Sequence, residues 1–204
     1  MIRKIVAFFI ILLQFCIGLT GCIELISEEK KQIKAINLDL ESISLNLEDL
    51  PDGYINSSED YYYSQVYDVA IIPIDYYYEY FYYEIPDITY PTIRLILFEF
   101  NSSYDAKIVI NNLFENAVED AASFNISNRI TPKNTKQVGE ESFYELYEKN
   151  MLFIKIFDSF IFFRIENIAV GVLLQGNENR ELDLIGLTFN YANIIENRIY
   201  SSVK

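Results

Sequence analysis

The stretch from Met151 to Leu174 constrains this chain more than any other, because it is apolar on both alternating faces. Three strands are expected there, Met151–Phe157, Phe160–Ile165 and Ile168–Leu174. Asp158-Ser159 and Glu166-Asn167 would be the two-residue links, the length that closes tight antiparallel hairpins. In the first strand Leu152, Ile154 and Ile156 would point one way and Met151, Phe153 and Phe157 the other. A sheet of that kind must be covered on both sides.

The sequence supplies two covers. Ser102-Ser103-Tyr104-Asp105 resembles a capping box, and Ala106, Val109, Ile110, Leu113, Ala117, Val118 and Ala121 follow it at helical spacing toward Phe124. A last helix is expected over roughly Arg180 to Ser201, with the stripe Ile185, Phe189, Ala192, Ile195 and Ile199. Upstream, Thr92 to Phe100 (TIRLILFEF) reads as a buried strand. Leu38, Leu40, Ile43, Leu45 and Leu47 largely alternate with polar residues, which favours a half-buried strand over a short helix, and Asp49-Leu50-Pro51-Asp52-Gly53 ends it in turn chemistry. Tyr54 to Tyr90 should hold one or two strands and an irregular loop, since Tyr suits pleated surfaces and Pro73, Pro86 and Pro91 interrupt them. A polar loop containing Pro132 precedes Val138. The expectation is an α+β fold: an antiparallel sheet of about five to seven strands with helices packed on its faces.

The N-terminus has the anatomy of an export signal: Arg3 and Lys4, an apolar core from Ile5 to Leu13, then Leu19-Thr20-Gly21-Cys22. The core is too short to span a bilayer, which takes about 20 apolar residues. Leu-small-small-Cys resembles the lipobox of prokaryotic lipoproteins, in which the Cys receives a diacylglyceryl group and becomes the first residue. Cys22 is therefore the expected lipidation site. Cys16 follows Gln14 and Phe15, a bulky cleavage position, and leaves with the leader. The division expected is 1–21 signal peptide, 22–37 lipidated tether and 38–204 one α+β domain, on the membrane and facing outside the cytoplasm. An uncleaved N-terminal helix is the alternative anchor.

Chemistry is narrowed by what the chain lacks. It has no His, which removes the usual base near neutral pH and the commonest transition-metal ligand. With Cys22 acylated and Cys16 gone, no thiol remains for a disulfide or a nucleophile. No GxSxG, GxGxxG, Walker or EF-hand pattern occurs, and no cofactor or metal is expected. The formal net charge is −14, and removing Arg3 and Lys4 takes it to −16, so nucleic acid is a poor partner. Between Lys34 and Arg94 there are twelve carboxylates and no base.

Four pieces in order, Asp49-Leu50-Pro51-Asp52-Gly53-Tyr54, the strand and helix from Arg94 through Ala106, Val138-Gly139-Glu140-Glu141-Ser142-Phe143, and Phe163-Arg164 with Glu166-Asn167 before a Val-rich strand, together resemble small exported prokaryotic lipoproteins with a PsbP-like α/β/α sandwich. The resemblance covers most of Leu38 to Ile199, departs in the tyrosine-rich segment and carries no catalytic motif. It implies that fold and a binding or extrinsic-subunit role.

Twelve of the seventeen tyrosines fall between Tyr54 and Tyr90. Tyr76, Tyr77, Tyr78, Tyr80, Tyr82 and Tyr83 are the candidate recognition residues, since Tyr offers rigid amphipathic area for a carbohydrate and neighbouring carboxylates could face a cationic partner. Tyrosines that simply fill strands are the plainer reading. Glu140, Glu141, Glu145 and Glu148 read as a solvated edge rather than a cation site or a hydrolytic pair, and Arg164, inside an apolar strand, needs a carboxylate. Asn56, Asn101 and Asn125 begin N-glycosylation triplets that also arise by chance and are not taken as sites. Two functions follow: a non-catalytic membrane-anchored binding domain, or a carboxylate-dependent hydrolase acting on a glycoside.

Overall fold

The computed structural model describes residues 36–57, 71–83, 90–123, 126–130, 137–151, 154–177 and 184–203, all within a compact unit that covers residues 34–204. The leader, Cys16, Cys22, the tether up to residue 35, Tyr61–Tyr63 and Asn125 lie outside the described residues.

Seven strands form one antiparallel sheet: β1 Tyr54–Ser57, β2 Asp75–Tyr83, β3 Thr92–Glu99, β4 Ile126–Ile130, β5 Glu141–Met151, β6 Ile154–Ile165 and β7 Ile168–Asn177, in the order β1-β2-β3-β7-β6-β5-β4. Among the described residues three helices accompany it, α1 Leu40–Ile43, α2 Ser103–Ser123 and α3 Leu184–Ser202. The fold is α+β, as its patterning implies.

Both faces of the sheet are apolar and both are covered. On one face Ile93, Leu95, Leu97, Ile161, Phe163, Val170 and Val172 pack with Leu40 and Ile43 of α1 and Ala192, Ile195 and Ile199 of α3. On the other, Ile96, Phe98, Phe160, Phe162 and Ala169 pack with Ala106, Val109, Ile110 and Leu113 of α2. Ser102 caps α2, its hydroxyl accepting the Asp105 N–H at 3.1 Å.

Three expectations change. Leu38 to Leu47 is not a strand: α1 and a 3-10 turn, Leu47–Asp49, replace it. Leu40 and Ile43 are buried three residues apart, helical spacing, while Leu47 is exposed. Asp158-Ser159 is not a hairpin link, because β6 runs through it. Asp158 pairs with Lys149, and Ser159 is buried with its hydroxyl 3.0 Å from that of Tyr144 and 2.6 Å from that of Thr188. The polar pair is thus satisfied inside the sheet, and Met151, the last residue of β5, pairs with Ile154, the first of β6. β4 stands where only a polar loop was expected before Val138; it is five residues long and carries a register shift between Ile126 and Asn128, and β5 runs through Glu141, Glu145 and Glu148. Glu166-Asn167 does link β6 to β7, with Glu166 in the left-handed region at φ 52°.

The buried Asn167 amide ties the start of the described chain to the sheet. The Ile36 N–H donates to its Oδ1 at 2.8 Å, and its Nδ2 donates to the Ile36 and Phe100 carbonyls at 3.0 and 2.8 Å.

Candidate binding face

Period-two alternation divides the six candidate tyrosines between opposite faces of β2. The register pairs Tyr76 with Phe98, Tyr78 with Ile96 and Tyr80 with Arg94, and these rings, with Tyr82, share the face that α2 covers elsewhere. Helix α2 packs on β4, β5, β6 and β7. Tyr78 and Ile71 lean on that second core from outside it, Tyr76 is 48% exposed, and Tyr80 and Tyr82 are half-buried. The Tyr80 and Tyr82 rings stack at 5.7 Å between centroids, and the Arg94 guanidinium lies 5.8 Å from the Tyr80 centroid. Across this face of β1 to β3 the described residues are Ile55, Ser57, the four tyrosines, Thr92, Arg94, Ile96 and Phe98, with no carboxylate.

Tyr77 and Tyr83 point the other way and join the first core. Tyr83 stacks on Tyr90 at 4.4 Å and meets Tyr54 edge-on at 5.7 Å; the buried Tyr54 hydroxyl donates to the Pro91 carbonyl at 2.7 Å. Burial and neighbouring tyrosines push the Tyr54 hydroxyl pKa up. Gly53 sits at φ 98° beneath the Tyr83 ring, where a Cβ would lie 2.6 Å from its carbons. Between Tyr77 and Tyr83 on this face lies Glu79, only 4% exposed, and Phe81, fully buried.

Glu79 sits where α1, β1 and β2 meet. Its carboxylate accepts from the Ser44 hydroxyl and the Asn56 amide, each at 2.5 Å, and from the Tyr77 hydroxyl. Burial pushes its pKa up; the three donors hold it down in part, and Glu41 adds repulsion. Tyr77 is raised as well, by burial and by Glu79, Glu41 and Asp39. Arg198 of α3 reaches the other side of this junction, bonding the Ser44 carbonyl and, at 2.9 Å, Asp49.

The remaining carboxylates do not form the solvated edge expected of them. β5 is an inner strand between β4 and β6, and Glu145 on it is 3% exposed. Arg164 pairs with Glu140 and Glu141, and Glu148 with Lys155 at 3.0 Å. Asp75 and Glu99 face each other across β2 and β3; Glu99 is buried, accepts from the Leu38 backbone and has a raised pKa, chiefly from burial. Among the described residues no group of three or more acidic side chains is arranged to hold a metal ion, and no helix is long and apolar enough to cross a membrane.

Sequence reasoning missed Arg94, Glu79, Ser44 and Asn56. Period-two alternation would have separated the tyrosines into two sets, but placing Arg94 beside Tyr80 requires the register of β2 on β3. No protein-family model and no curated protein matches this chain.

Proposed function

We propose that this chain is a lipid-anchored, extracytoplasmic binding protein without catalytic activity, and that the face bearing Tyr76, Tyr78, Tyr80 and Tyr82 receives its ligand. One observation supports the binding reading most: four tyrosines are aligned on one face of β2, at the margin of the core that α2 covers, with Arg94 beside the Tyr80 ring. A glycoside hydrolase needs two carboxyl groups facing each other at about 5–9 Å across its substrate. The absence of His and, after processing, of thiols leaves few other catalytic routes. The PsbP-like pattern points the same way.

The ligand class favoured is a carbohydrate. Pyranose C–H faces stack on aromatic rings, while phenol and guanidinium groups bond to the hydroxyls.

The anchor is tested by Cys22→Ser, which should abolish incorporation of radiolabelled lipid and leave the precursor unprocessed or the protein released. Full membrane retention with an intact leader would favour the uncleaved helix. The face is tested on a glycan array with polylysine as a cationic control. Binding to glycans that Tyr80→Ser reduces tenfold or more supports the reading, and binding to polylysine alone refutes it.

A further inference from the structure

Seven large apolar or aromatic side chains among the described residues are exposed, and six of them, Ile72, Ile74, Tyr76, Tyr104, Tyr200 and Val203, gather at one end of the sheet. The hydrogen bonds fix that end. The Ile74 N–H donates to the Glu99 carbonyl at 2.7 Å where β3 finishes, and Tyr76 is the second residue of β2. Phe100 is bonded to Asn167 in the β6–β7 turn, and α2 starts three residues later, with Tyr104 in its first turn. Tyr200 is in the last turn of α3, near Glu140, Glu166 and Glu196, and Glu196 accepts the Gly139 N–H at 2.8 Å. The seventh, Leu47, belongs to the 3-10 turn that leads to β1, which pairs with the far end of β2.

Ile36, where the described chain begins, is bonded to Asn167 at this same end. Cys22 precedes it by fourteen residues, a reach of at most roughly 50 Å fully extended. A lipid on Cys22 would therefore hold this end within reach of the bilayer. Ile72 is 88% exposed and Ile74 is 54% exposed, a costly arrangement in water and a favourable one against acyl chains, and tyrosines are the side chains that collect at membrane interfaces.

We propose that this end of the sheet is a membrane-seating face: Ile72 and Ile74 enter the interfacial layer of the bilayer that carries the Cys22 lipid, with Tyr104 and Tyr200 at headgroup level. The inference rests on the lipid-anchor reading. Seating would leave the lower part of β2 near the membrane and the upper part of its tyrosine face, at Tyr80 and Tyr82, turned outward. Asp75, Glu140, Glu166 and Glu196 at this end oppose an anionic surface, so seating should be firmest on zwitterionic lipid.

The chain contains no Trp, so a single introduced indole is an unambiguous reporter. Ile72→Trp and Leu47→Trp are made in the full-length protein, purified from membranes and reconstituted in phosphatidylcholine vesicles with or without bromines near the top of the acyl chains. Mass spectrometry of the N-terminal peptide reports the Cys22 adduct independently. The expected result is a blue-shifted Ile72→Trp emission that loses half or more of its intensity in brominated vesicles, with Leu47→Trp unchanged. Equal quenching at the two positions, or none at position 72 in a chain that carries the adduct, overturns the proposal. A chain without the adduct that is still quenched at 72 supports the seating face and refutes only the anchor; one with neither overturns both.

Discussion

On one face of β2 lie Asp75, Tyr77, Glu79, Phe81 and Tyr83, and on the other Tyr76, Tyr78, Tyr80 and Tyr82. The first set is bound into the protein: Phe81 is fully buried, Tyr83 stacks on Tyr90, and Glu79 is ringed by donors from three elements. In the second set Tyr80 stacks on Tyr82 and lies beside Arg94, and Tyr78 packs at the margin of the α2 core. Two sets that share tyrosine, interleaved along nine residues, therefore sit in different surroundings. What separates them is the covering: α1 meets β2 on one face, while α2 on the other packs on β4 to β7. The acids of β2 went to the covered face and the arginine of β3 to the tyrosine face.

The largest test of that contrast is removal of one ring from each set. Phe81→Ala should cost about 3–5 kcal/mol in urea unfolding, because the cavity opens in a fully packed site. Tyr80→Ser should cost about 1 kcal/mol or less, the scale of a cross-strand pair at a half-exposed position. Comparable losses would show that the two faces are equally integral to the core.

A second test uses the buried carboxyl. Since the folded-state pKa of Glu79 is raised above its ordinary value, its contribution is most favourable at acid pH and is lost as pH rises from the ordinary carboxylate range through the folded pKa. Glu79→Gln keeps an amide among the Ser44, Asn56 and Tyr77 groups and cannot ionise. The variant should match the native chain near pH 4 and exceed it in melting temperature at pH 7. A variant that is less stable at pH 7 would show that the three donors outweigh burial.

A third test compares the two faces by binding as well as by a modest change in stability. Combined Tyr76→Ser, Tyr80→Ser and Tyr82→Ser should lower the melting temperature by only a few degrees and remove glycan binding. Tyr77→Ser and Tyr83→Ser, from the covered face, should do the reverse, destabilising the fold without a direct effect on a ligand. If all five behave alike, the division of β2 into a core face and a binding face fails.

Much of this was open to reading in the chain. The apolar residues of Ile161–Leu174 and Ile93–Phe98 demanded a sheet covered twice, and Ala106-Val109-Ile110-Leu113 and Ala192-Ile195-Ile199 supplied the helical covers, because hydrophobic period and burial are local properties of sequence. The strand from Leu38 to Leu47 was misread because its short alternation also fits one helical turn, and packing of Leu40 and Ile43 on the sheet decided between them. Asp158-Ser159 was misread because a polar pair signals a turn unless partners distant in sequence, Lys149 and Thr188, satisfy it.

By itself the sequence determined the two-sided sheet, its helices and the uneven placing of tyrosine and acid, all properties of neighbouring residues. It could not place charge in space. The segment from Lys34 to Arg94 contains no base within it, but the antiparallel register of β2 on β3 sets Arg94 beside Tyr80, while Glu79 turns inward to Ser44 and Asn56. Those pairings span 14, 35 and 23 positions, and only closure of the sheet brings such distant groups within reach of one another.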